Sequence, residues 1–157
     1  MSNPNFERMM KLADDFFDMK NDPEQISVNE EVIDKLQKIH HSSMSEKSNS
    51  DGPVAWILVI PTTMQLMEAF LTQSISERAL LKQTPIGASY DAVYLCSALV
   101  LPEHRGKGLA RGLAADAVRT IQQDHPIKYL FYWSFSTEGE KLANAIAREL
   151  NLPLRQR

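Results

Sequence analysis

One stretch restricts what this chain can fold into more than any other: Tyr90–Gln122, YDAVYLCSALVLPEHRGKGLARGLAADAVRTIQ. It opens on a nearly continuous apolar run, Ala92 to Leu101, with apolar residues on both alternating sets. Such a run reads as a strand covered on both faces. Counted from Tyr90 it would reach about 40 Å at ~3.3 Å per residue, longer than an ordinary strand, so a bulge or bend is expected near Ser97. Pro102 ends the run, because proline cannot donate to a ladder. Gly106 and Gly108 flank Lys107, and from Leu109 the apolar residues recur at helical spacing: Leu109, Leu113, Ala117, Ile121 and Ala110, Ala114, Val118. Strand, glycine turn and helix together present unpaired main-chain N–H groups and the positive end of a helix dipole to an anion. Both glycines can take positive φ and admit an anion close to the main chain. Arg105, Lys107 and Arg111 bring three cations to the same turn.

Two common phosphate motifs are excluded by spacing. No Gly-Lys-Ser/Thr follows at the interval of a nucleotide-triphosphate loop, and the G-x-G lacks the third glycine of a dinucleotide fingerprint. The run Val100-Leu101-Pro102-Glu103-His104-Arg105-Gly106-Lys107-Gly108-Leu109-Ala110 instead resembles the acyl-CoA signature of the GNAT superfamily of N-acyltransferases. Its Arg/Gln-x-x-Gly-x-Gly/Ala pattern falls on Arg105, Gly108 and Ala110, after Val100-Leu101-Pro102. The resemblance covers about Tyr90 to Leu152. It implies an α/β fold, a GNAT-like mixed β-sheet with helices on both faces. It implies acetyl-CoA as co-substrate and a primary amine, small molecule or protein, as acceptor. Ala98, Leu99 and Val100 would bind the pantetheine arm, and Gly106, Lys107, Gly108, Leu109, Ala110 and Arg111, beside Arg105, the pyrophosphate.

Where the family often places a catalytic tyrosine in the last helix, this chain has Ala147, and its usual upstream asparagine is Glu140. Acyl transfer to an amine needs a base before attack, an oxyanion donor and a proton for the leaving thiolate. Tyr94, Tyr132, Ser134, Glu138, His104 and Cys96 each offer suitable chemistry, but each also has an ordinary structural use, and the sequence assigns none of them. The same departures leave a non-catalytic acyl-CoA-binding module as the alternative.

The chain as a whole reads as one soluble domain of 157 residues, with 43% hydrophobic and 24% charged residues. A net charge of −3 argues against nucleic acid or an anionic membrane as partner. One cysteine excludes an internal disulfide, and the N-terminus lacks a signal-peptide apolar core, so a cytoplasmic protein is expected. Asn3-Pro4 starts a helix with Phe6, Met9, Met10, Ala13, Phe16 and Phe17 on one face. Asn21-Asp22-Pro23 breaks it, and Ser27 with Glu30 caps a second helix through Val28, Val32, Leu36 and Ile39, closed by His40 and His41. The two histidines are adjacent and unaccompanied, so no metal role is expected.

Residues 42–53 read as a loop, Val54–Ile60 as a buried strand, and Thr62 with Gln65 as the cap of a helix bearing Met64, Met67, Leu71 and Ile75. Ser74–Ser76 marks a break before Glu77–Gln83. After His125-Pro126, Ile127–Phe135 is expected as a strand parallel to the central one, then a helix capped by Thr137 and Glu140. Only one strand stands where an antiparallel pair would precede the central strand, and none is expected after Pro153. The missing strands are then hidden in Ser42–Asp51, supplied by a partner chain, hence a possible homodimer, or absent altogether.

Overall fold

The computed structural model describes residues 4–20 and 30–157. Eleven elements follow in order: α1 (Pro4–Lys20), α2 (Glu30–Ile39), β1 (Met44–Asn49), β2 (Gly52–Thr62), α3 (Met64–Leu71), α4 (Glu77–Gln83), β3 (Ala92–Val100), α5 (Leu109–Asp124), β4 (Tyr129–Tyr132), α6 (Thr137–Leu150) and β5 (Leu154–Gln156). The strands form one mixed sheet in sequence order, β1-β2-β3-β4-β5. The first two pairings are antiparallel and the last two parallel. The expected N-caps Asn3 and Ser27, the break at 21–23 and Val28 lie outside the described residues.

Residues 42–53 are not a loop. Met44–Asn49 is an edge strand whose side chains are nearly all exposed. Its composition, MSEKSN, hid it, because an edge strand facing water has no apolar alternation to show. Asp51-Gly52 is the one local signal, and Gly52 turns the hairpin at φ 114°. Of the alternatives the sequence left open for the missing strand, the one within 42–51 is found. So is the last one: Leu154–Gln156 pairs with β4, after Asn151 ends α6 in the left-handed conformation at φ 55°. With both strands supplied internally, the reason for expecting a partner strand falls away.

Register divides the sheet into two faces. Val54, Trp56 and Ile60 share one with Leu101, Leu99 and Tyr94, and Phe131 joins them across β4. On it α1 seats buried Met9 beside Val54 and Leu101, and α3 sets Phe70 against Tyr94 and Phe131, with ring centroids at 5.0 and 5.9 Å. Phe6 and Met10 are not core residues as their spacing suggested; they are 48% and 43% exposed, because the helix rests on the end of the sheet through Met9. Ala55, Ile57, Val59, Val93 and Leu130 form the other face, left for α5 and α6, which pack together. The alanines Ala114, Ala115 and Ala117 are buried along α5, letting it approach the strands closely.

Two caps sit one residue from where the capping-box pattern placed them. Thr63, not Thr62, accepts the N–H of Leu66, and Ser136, not Thr137, accepts that of Gly139. Thr62 is instead wholly buried and shares a 2.7 Å hydrogen bond with Thr84. Both strands of the crossover are shorter than expected, Ala92–Val100 and Tyr129–Tyr132.

His40 is buried just beyond α2. Its Nδ1 accepts the Ser42 N–H at 3.0 Å, which puts the ring proton on Nε2, facing Asp124 Oδ2 at 2.7 Å. This bond lowers the Asp124 carboxyl below its usual range. His125 lies against Tyr90 and takes its N–H at 3.3 Å. Burial, helped by His40, pushes His125 below its ordinary value of 6.5. The unfolded chain therefore takes up this proton first. Stability should fall as pH drops through 6.5 toward the lowered folded value, with a second loss below 3.8 as Asp124 is protonated. Urea midpoints between pH 8 and 5 check this, and His125→Gln should flatten the first slope.

Candidate functional site

Three features converge at the end of the central strand. The first is an interrupted pairing. On the β2 side Leu58 lies opposite Ser97 and Val59 opposite Leu95, so Cys96 is the extra residue of a bulge, one position from the expected Ser97. On the β4 side pairing stops at Tyr94–Phe131. Among the described residues, no strand pairs with the central strand on that edge from Leu95 to Val100. Leu101 donates its N–H to Val54 on β2. Alternation then turns the main-chain groups of Val100 and Ala98 toward the open edge and those of Leu99 toward β2, opposite Trp56. An extended ligand laid along this edge would meet Ala98 and Val100 as an added strand would.

The second feature is the turn. Pro102–His104 forms a single 3₁₀ turn, and Gly106 and Gly108 both adopt φ 77°, the left-handed conformation glycine permits. Gly108 caps α5 without any side-chain bond. Among the described residues, the N–H groups of Gly106, Lys107, Gly108, Leu109, Ala110 and Arg111 donate to no main-chain carbonyl, whereas Gly112 already bonds Gly108. A Cβ built on Gly106 or Gly108 meets nothing within 4 Å, so the space in front of these amides is open. Six unpaired donors at a helix N-terminus can take a diphosphate.

The cations divide their duties. Arg105 folds back from the turn and donates from Nε to the Val100 carbonyl at 2.9 Å, joining the turn to the open edge. Lys107 is exposed in the turn. Arg111 is not aimed into it: its Nε donates to Glu149 of α6 at 3.0 Å, and Arg119 shares that carboxylate at 3.1 Å. These bonds lower the Glu149 carboxyl. Glu103 in the 3₁₀ turn is tied to Arg8 of α1 at 2.6 Å, and the guanidinium holds its carboxyl down to about 2.

The third feature lies beside the bulge, and the sequence did not reveal it. Glu77, the first residue of α4, is 1% exposed. Its Oε2 accepts the Tyr94 hydroxyl at 2.5 Å and lies 4.0 Å from Cys96 Sγ. Burial, then the neighbouring Cys96 and Glu77, push the Tyr94 phenol well above its ordinary value, so Tyr94 stays a hydrogen-bond donor. Ser76 accepts the Ala79 N–H and starts α4 at the expected break, but nothing local distinguishes Glu77 from an exposed first-turn acid. Arg157 closes this side, its guanidinium 4.4 Å from the Phe70 ring and 4.6 Å from Trp133.

The other sequence candidates are dispersed. Tyr132 is buried on β4 with its hydroxyl donating to Gln156 at 3.1 Å. Ser134 follows β4, Glu138 is exposed in the first turn of α6, and His104 lies in the 3₁₀ turn. Ala147 is buried and borders a depression of about 420 Å³ formed by the last turns of α6 and β5, while Glu140 is exposed. Among the described residues, no group of three or more His, Cys, Asp or Glu is placed to hold a metal ion, and no helix is long and apolar enough to cross a membrane.

No family model, no curated protein and no solved structure matches the chain.

Proposed function

We propose that this protein is an acetyl-CoA-dependent N-acyltransferase of GNAT-like fold, transferring the acyl group to a primary amine. The observation that carries the reading is the conjunction of an unpaired strand edge with a turn of unpaired amides at its end. A CoA thioester has the matching shape: an extended, amide-bearing arm joined to a diphosphate. Ala98 and the N–H of Val100, whose carbonyl already accepts from Arg105, would pair with the arm, and the amides from Gly106 to Arg111 would hold the diphosphate, with Arg105 and Lys107 adding charge. The arm would run from the turn toward the bulge, bringing the thioester near Cys96.

Residue roles follow from what the chain offers there. The edge orients the arm and the turn fixes its far end. Release of CoA thiol on mixing protein, acetyl-CoA and a panel of amines tests the reading. Acceptor-dependent thiol release is expected, and its absence across a broad panel counts against an enzyme. Ala147 and Glu140, in place of the tyrosine and asparagine common in such enzymes, favour a second reading as a non-catalytic acyl-CoA-binding module. That reading predicts CoA binding with no thiol release.

A further inference from the structure

We propose, resting on the acyltransferase reading, that Cys96 and Glu77 form a nucleophile–base pair that carries the acyl group on the protein as a thioester before it reaches the amine. Cys96 is the residue the bulge forces out of the β2–β3 register, two positions beyond the last β3–β4 pair. Its sulfur is thereby placed where the two strands part, at the inner end of the open edge. Cys96 itself is 7% exposed, and Ser97 and Ala98, which follow it on the strand, are partly exposed.

Glu77 supplies what a thiol needs to attack. A carboxyl 1% exposed is uncommon in a small core and concentrates at functional sites and paired networks. Here it lies 4.0 Å from Sγ, a separation that tightens readily when a substrate closes the site. Tyr94 donates to the same oxygen at 2.5 Å and fixes the carboxylate against the strand. Nucleophile, base and a third group that orients the base form the arrangement that activates a side-chain nucleophile. Phe70, packed on Tyr94, holds the hydroxyl in place.

Glu77 accepts the Cys96 proton, and the thiolate forms an S–C bond to the acyl carbonyl. The carbon–sulfur bond to CoA breaks, its electron pair leaves on the CoA sulfur, and that sulfur takes the proton from Glu77. A neutral amine then forms a C–N bond to the same carbonyl. The Cys96 thiolate leaves and takes the proton the amine nitrogen sheds, which restores the thiol. No oxidant, reductant or metal is consumed.

The test is the mass of the protein after incubation without any amine, using acetyl-CoA and, separately, S-acetyl-N-acetylcysteamine. The second thioester lacks the diphosphate and so bypasses the turn. An adduct of about 42 Da confined to the Cys96 peptide, discharged on adding an amine acceptor, is the expected result. Cys96→Ala and Cys96→Ser should form none, and Glu77→Gln should slow its formation at least about 10-fold with CoA affinity unchanged. Glu77→Asp should recover part of the rate. Wild-type protein that binds CoA and turns over yet stays unmodified overturns the pair and leaves the acyltransferase reading standing. No CoA binding and no modification by either thioester overturns both.

Discussion

Gly108→Asp is expected to lower affinity for CoA by about 100-fold or more while the protein stays folded. The backbone at Gly108 is left-handed, φ 77°, and a Cβ there meets no atom within 4 Å. The substitution therefore costs the fold only about 1 kcal/mol of backbone strain, least for Asp and Asn among side chains. The space it fills is that in front of the open amides. Its charge would stand within a few ångströms of a diphosphate, a repulsion of about 4 kcal/mol per charge pair at 4 Å near a surface. Gly112→Ala is the matched control, four residues on in the same helix with equally open surroundings. It should leave binding unchanged and raise stability by up to about 1 kcal/mol, as a helical glycine replaced by alanine does. Calorimetric titration with CoA of both variants, beside urea melts, separates the two effects. Equal affinity in Gly108→Asp and wild type would remove the turn from the account.

Phe70→Ala should cost about 3–5 kcal/mol of stability, the usual range for emptying a buried aromatic site. Phe70 is wholly buried and its ring meets Tyr94, Phe131 and Trp133 at centroid distances of 5.0, 5.9 and 6.0 Å. The Arg157 guanidinium lies on its other side at 4.4 Å. The ring thus joins α3, the central strand, β4 and the chain after β5, and alanine would leave a cavity bordered by rigid strands that cannot collapse into it. Set against a total of about 5–15 kcal/mol for a domain, the loss is large enough to read in urea midpoints at constant slope. A change below about 1 kcal/mol would mean that the four elements are not held together through this residue. Because Phe70 packs on Tyr94, the variant should also loosen the Tyr94–Glu77 bond and slow any chemistry that depends on it.

How much of this could be read from the sequence depended on whether neighbours or the chain itself fixed each position. Gly106 and Gly108 were legible because a positive φ is a demand that few residues meet, and the pattern survives in one dimension. The bulge was legible to within one residue because an overlong apolar run must bend somewhere. β1 was not, because Met44–Asn49 takes its structure from β2 beside it and exposes its own side chains. β5 was missed for a related reason. Leu154–Gln156 is too short to carry a period, and its strand conformation comes from the ladder with Leu130–Tyr132. The caps were displaced because serine and threonine adjoin at Thr62-Thr63 and Ser136-Thr137, and only the entry angle of the chain selects one.

In the site, the turn was legible, but the open edge and the Glu77 cluster were not: the strand expected to run to Phe135 stops at Tyr132. Arg111 shows the limit from the other side: its position in the motif suggested a cation for the turn, but Glu149, 38 residues on, draws its side chain away. Glu77 is the converse. Sequence places it at the start of a short helix, where an acid usually faces water. The bend between α3 and α4 turns it inward onto Tyr94 and Cys96, 17 and 19 residues later. Long-range geometry of that kind leaves no mark on local composition.

The most direct measurement is the amide spectrum of isotope-labelled protein as CoA is added. The account predicts the largest shifts at the N–H groups of Gly106, Lys107, Gly108, Leu109 and Ala110, with a second set at Ala98 and Val100, saturating together at micromolar to sub-millimolar ligand. Unmoved resonances at these positions at about 1 mM CoA, or shifts gathered on another face, would contradict it.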